Sequence, residues 1–102
     1  MANDLFREMV EIARDYFHPF LAESMIRAWC ERCGTTEDEV CTLHLPSIIL
    51  IISTDDNIYK KLKFHQYLDL MKRFIAFSNR FEDKDPERTR KFIEKCKSQV
   101  HN

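Results

Sequence analysis

The chain has 102 residues, a formal net charge of −1 and an apolar fraction of 44%, which is ordinary for one folded domain that buries its core without disulfide or metal staples. Its single glycine and three prolines argue against a sheet protein with many tight turns, because those turns need glycine for positive φ. The same single glycine excludes the glycine-rich loops that cradle phosphates, bind dinucleotides or present a nucleophilic serine.

The charge is unevenly placed. Residues 1–56 hold four basic and eleven acidic side chains, and residues 57–102 hold twelve basic and six acidic ones. The simplest expectation is that the two halves lie against each other and partly neutralise. The amino-terminal stretch carries acids and no uninterrupted apolar run, so a secretory signal is not expected. Four cysteines without such a signal suggest a reducing, cytoplasmic setting. The longest apolar run, Ile48 to Ile52, is far short of the roughly 20 residues that span a bilayer, so no membrane partner is expected.

In chain order, Asp4 to Phe17 reads as a helix. Leu5, Met9, Ile12 and Tyr16 recur at helical steps, with Phe6, Val10, Ala13 and Phe17 one position over. Asn3 and Asp4 are its candidate caps. His18-Pro19 ends it, and Pro19 suits the first turn of a second helix that runs to Cys33. Ala22, Ile26, Trp29 and Cys33 form the buried stripe of that helix. Gly34 stands where a left-handed closing residue is usually needed. Thr36-Glu37-Asp38-Glu39 has the pattern of a capping box, which predicts a third helix reaching about His44.

Residues 45–53, Leu-Pro-Ser-Ile-Ile-Leu-Ile-Ile-Ser, are ambiguous. Four isoleucines favour a strand by propensity, but no second convincing strand exists to pair with it. A short buried helix begun by Pro46 is preferred. Thr54-Asp55-Asp56-Asn57 opens what reads as the longest helix, to Phe81. Its apolar side carries Tyr59, Leu62, Tyr67, Leu68, Met71, Phe74, Ile75 and Phe81. Asp85-Pro86-Glu87 starts a last amphipathic helix with Phe92, Ile93, Cys96 and Val100 inward. The expected fold is all-α, a compact bundle of about five or six helices forming a single domain over residues 1–102.

Cys30, Cys33, Cys41 and His44 have the spacing Cys-x2-Cys-x7-Cys-x2-His, which raises a structural zinc site. Each pair lies on one helical face. In an antiparallel hairpin, however, His44 sits about 12 Å down the second helix while Cys33 lies at the turn, too far for bonds of about 2 Å. Core packing explains the cysteines better, since cysteine behaves as a small hydrophobe. Zinc is the alternative, and otherwise no cofactor is expected. A redox dithiol would need the positive end of a helix, whereas this pair stands at the carboxyl end. Covalent haem would need histidine where Gly34 stands.

No arrangement of nucleophile, base and orienting partner is in view. Asp55-Asp56 suits helix capping better than magnesium, and His18 and His65 suit a helix junction and a solvated face. Binding is therefore the expected mode of action. Eight phenylalanines and an isoleucine cluster suggest more apolar area than the core consumes, and such an excess goes into self-association or a partner protein. Ile48, Ile49, Ile51 and Ile52 are the expected contact residues of a small regulatory or interaction module, a dimer in the simplest case. The further alternative is nucleic acid held through Lys60, Lys61, Lys72, Arg73 and Arg80.

Overall fold

The computed structural model describes residues 2–80 together with Lys91 and Glu94. Of the helix expected from Asp85, Lys91 and Glu94 are described and helical, and its other residues lie outside the described residues. Five α-helices and one short 3-10 turn make up the described chain, which is all-α, with no strand among the described residues.

Asn3 opens α1 (Asp4–Ala13) by accepting from the Phe6 amide at 2.9 Å, which satisfies one of the unpaired donors at the helix start. Phe6, Met9 and Ala13 bury one face. The helix stops earlier than expected. Asp15 and Tyr16 donate to carbonyls three residues back, so residues 14–17 tighten into turns and tuck Phe17 into the core. Pro19 then starts α2 (Pro19–Arg32), whose buried side carries Ala22, Ile26, Trp29 and Cys30.

The end of α2 follows the expected chemistry. Gly34 adopts φ 76°, its amide donates to the Glu31 carbonyl at 3.0 Å, and the Thr35 amide donates to the Cys30 carbonyl at 2.9 Å. These are the two bonds of a Schellman motif, and they need a residue that tolerates positive φ.

The third helix expected from Thr36 does not form, because its hydrogen bonds are used elsewhere. The Val40 amide closes one turn onto the Thr36 carbonyl at 2.9 Å. For a second turn the Glu37 carbonyl would have to accept from Cys41, but it accepts from the Asn3 amide at 2.9 Å. The Cys41 amide donates instead to His44 Nδ1 at 3.0 Å. The Val40 carbonyl accepts from Asn3 Nδ2 at 2.7 Å. The segment thereby becomes a strap tied to the start of α1.

A 3-10 turn, Thr42–His44, leads directly into α3 (Leu45–Thr54). The stretch that was open between helix and strand is helical, with Pro46 in its first turn where the missing amide costs little. It is also central: Leu45, Ile48 and Ile52 have no exposed surface, and the helix packs between α2 and α5.

The single long helix expected from Thr54 is two helices. Asp55 caps α4 (Asp56–Lys61) through the Asn57 amide at 2.9 Å. Leu62 and Lys63 are extended, and α5 runs Phe64–Asn79. Turn geometry gives the reason. At about 100° per residue, an unbroken helix would set Ile58 about 160° round from Phe74. Both have no exposed surface, so the chain must reorient between them. Two extended residues do this, and Gln66 Oε1 restarts the helix by accepting from the Lys63 amide at 3.0 Å.

One hydrophobic core runs through α1 to α5, with Trp29 edge-on to Phe74 at 5.9 Å between ring centres. No helix among the described residues is long and apolar enough to cross a membrane.

Candidate interaction surface

α5 has a wider apolar face than the core covers. Tyr67, Leu70, Phe74 and Phe77 point inward and are buried. Beside them Phe64, Leu68, Met71 and Ile75 recur at steps of four, three and four, and so fall within an arc of about 60°. Phe64 is 63%, Leu68 40% and Ile75 41% exposed, and Met71 is half-buried. Tyr59 of α4, 57% exposed, packs edge-on to Tyr67 at 5.1 Å between ring centres and stands on the same flank. Single exposed apolar residues are normal, but a contiguous stripe at helical spacing is the usual form of a protein-docking face. Phe20, at the start of α2, and Leu50, on the outer side of α3, are the other large exposed apolar side chains among the described residues.

The opposite flank of α5 is used for packing. Arg73 pairs with Asp15 at 2.6 Å, its guanidinium lies 5.5 Å from the centre of the Tyr16 ring, and Tyr16 donates its hydroxyl to Asp69. These contacts lock α5 to the chain just after α1. Burial and the carboxylate of Asp69 hold the Tyr16 phenol above its usual range.

The expected contact residues are placed differently. Ile48, Ile51 and Ile52 are 0%, 4% and 0% exposed and belong to the core, and Ile49 is half-buried against it. Three of the four are therefore unable to meet a partner. α3 packs between α2 and α5 and turns Ile48, Ile51 and Ile52 into the core, while Leu50 stays on its outer side.

The four zinc candidates divide into pairs. Cys30 and Cys33 lie in the core on the inner side of α2, where burial, then Glu31 and Glu37, push the Cys30 thiol up to about 11. Cys41 and His44 face each other, Sγ to Nδ1, at 3.4 Å. No group of three or more metal-ligating side chains converges among the described residues, so the four-ligand geometry of the zinc alternative is not formed among them. His44 Nδ1 takes the Cys41 amide, which spends its lone pair on holding the entrance to α3, and burial pulls its pKa down.

The five basic candidates do not form one row. Lys60, Lys61 and Lys72 are exposed, Arg73 is folded onto Tyr16, and Arg80 lies over the Phe77 ring at 6.0 Å. Asp55, considered above as a cap, also accepts from Trp29 Nε1 at 3.2 Å and stands 3.8 Å from Arg32. Its part is structural, tying α2 to the start of α4.

Phe64 was not anticipated, and Leu68, Met71 and Ile75 were expected to face inward. Comparison with protein-family models, curated proteins and solved structures finds no match to this chain.

Proposed function

We propose that this protein is a small interaction or regulatory module that acts by binding another polypeptide rather than by catalysis, and that the stripe Phe64–Leu68–Met71–Ile75 is its contact surface. The observation that carries this reading is the exposure of Phe64, Leu68 and Ile75, with half-buried Met71 among them, at one-face spacing beside a face of α5 that is already packed into the core. Apolar area held out of the core in this way contributes little to folding, and is recovered when a partner removes it from water at roughly 25 cal/mol per Å². Helical secondary structure and a continuous core beneath α5 support the reading further, because a stiff platform keeps the ordering cost of association low.

Self-association is the simplest form such binding takes, and a partner protein is the other. A photoreactive phenylalanine analogue at position 68, compared with one at the exposed Glu8 of α1, tests the reading in cell lysate. The expected outcome is a discrete adduct, with a partner or with a second copy, from position 68 alone. Equal labelling from both positions, or none from position 68, would remove the proposal.

A further inference from the structure

We infer that the partner of the α5 stripe is an acidic amphipathic helix, with apolar residues on one face and glutamate or aspartate bordering it. The inference rests on the docking reading above and adds the chemistry of the occupant.

Charge complementarity carries it. From Ile58 to Arg80 the chain holds Lys60, Lys61, Lys63, Lys72, Arg73 and Arg80 against one acid, Asp69. That acid already accepts the Tyr16 hydroxyl, and Arg73 is paired with Asp15. Lys60, Lys61, Lys63 and Lys72 are exposed and make no ion pair among the described residues. Lys72 lies about 80° round the helix from Phe64 and borders the stripe on its solvent side. Lys61 and Lys63 stand at its amino-terminal end, immediately before α5. The surface is therefore an apolar strip edged by positive charge on its solvent side and at its amino-terminal end, and an edge of one sign selects partners of the other.

Charge also sets aside the nearer occupants. The chain after Arg80 holds five acidic and six basic side chains, and so brings no net negative charge to the lysines. A second copy docked stripe to stripe would set its own lysines against these. A nucleic-acid duplex would match the lysines with its phosphates but not the aliphatic Leu68, Met71 and Ile75 beside them, since the phosphate backbone offers no apolar surface to bury.

The test uses the full chain and fluorescence anisotropy. The probes are two labelled helical peptides with the same leucine stripe at steps of four, three and four, one bordered by glutamate and one by lysine, together with a labelled oligothymidine. The expected result is binding of the glutamate peptide, weakened by salt. Reversing Lys61 and Lys72 to glutamate should cost that peptide about tenfold in affinity, and Leu68→Ser should cost about thirtyfold. Phe64→Ser serves as a second stripe variant, because that side chain is 63% exposed and its loss leaves the core untouched.

Equal binding of both peptides, lost in Leu68→Ser, would overturn the acidic partner and leave the docking surface standing. Binding of neither peptide, or binding indifferent to both stripe variants, would overturn both. Light scattering that finds a dimer dispersed by Leu68→Ser would make the second copy the occupant and overturn the inference. Oligothymidine bound more tightly than either peptide would overturn it in favour of nucleic acid.

Discussion

Cys30 has two separate roles in this fold. Its carbonyl accepts the Thr35 amide and closes the Schellman turn, while its thiol fills the core beside Trp29. Burial raises the thiol to about 11 from an ordinary value of 9.0. Between those values the unfolded chain has lost the proton and the folded chain keeps it, so stability must fall as pH rises. Each pH unit of that window corresponds to about 1.4 kcal/mol. Urea unfolding of the wild type and Cys30→Ala, at about pH 8.5 and about pH 10.5, isolates the effect from other groups that titrate there. The wild type should lose about 1.5 kcal/mol more than the variant. An identical loss in both would mean that the thiol is hydrated in the folded chain. Other single residues act through their bonding capacity. Asn3 uses its backbone amide, side-chain oxygen and side-chain nitrogen to hold Glu37, Phe6 and Val40, and in doing so prevents a helix that the local sequence favours.

Among the elements, α5 has an incomplete start signal. Its cap position is Lys63, which offers no side-chain acceptor to the first-turn amides, although Gln66 already supplies the returning half of a capping box. Lys63→Ser completes the pair and should stabilise the protein by about 0.5–1 kcal/mol in chemical denaturation; a loss of stability would mean that the lysine holds α5 in some other way. α5 also marks how far sequence reasoning reached. α2 was legible end to end, because proline at its start and glycine past its end are local signals with local causes. The break at Leu62–Lys63 was not, since it arises from the tertiary demand that Ile58 and Phe74 both be buried. Ile58 falling out of phase with Phe74 was the available clue. The exposed stripe left a clue of the same kind. Apolar residues on α5 span about 180° of its circumference, from Phe77 round to Leu68, wider than the roughly 100° a core-facing helix requires. For α3 the sequence was silent by its nature: a run of isoleucines is equally apolar whether other helices of the chain cover it or a partner does.

For the molecule as a whole, the consequence is a division of apolar surface between core and exterior. The isoleucine-rich helix is the centre against which α2 and α5 close, and the surplus lies on one flank of α5, edged by lysines. Among the described residues the acidic first half and basic second half share the ion pair of Arg73 with Asp15, and Lys60, Lys61, Lys63 and Lys72 remain exposed on the basic side. That separation gives the molecule a long-range field beside its exposed apolar stripe, and a field of this kind speeds encounter with any oppositely charged partner at low salt. The central claim is that Phe64, Leu68 and Ile75 meet water in the isolated chain while Phe74 and Ile52 do not. Hydroxyl-radical footprinting of the monomer, read residue by residue by mass spectrometry, measures this directly. The account predicts rapid oxidation at Phe64, slower but clear oxidation at Leu68 and Ile75, and almost none at Phe74 and Ile52. Protection of Phe64 and Leu68 to the level of Phe74 would contradict it, because the stripe would then already be covered by the chain itself.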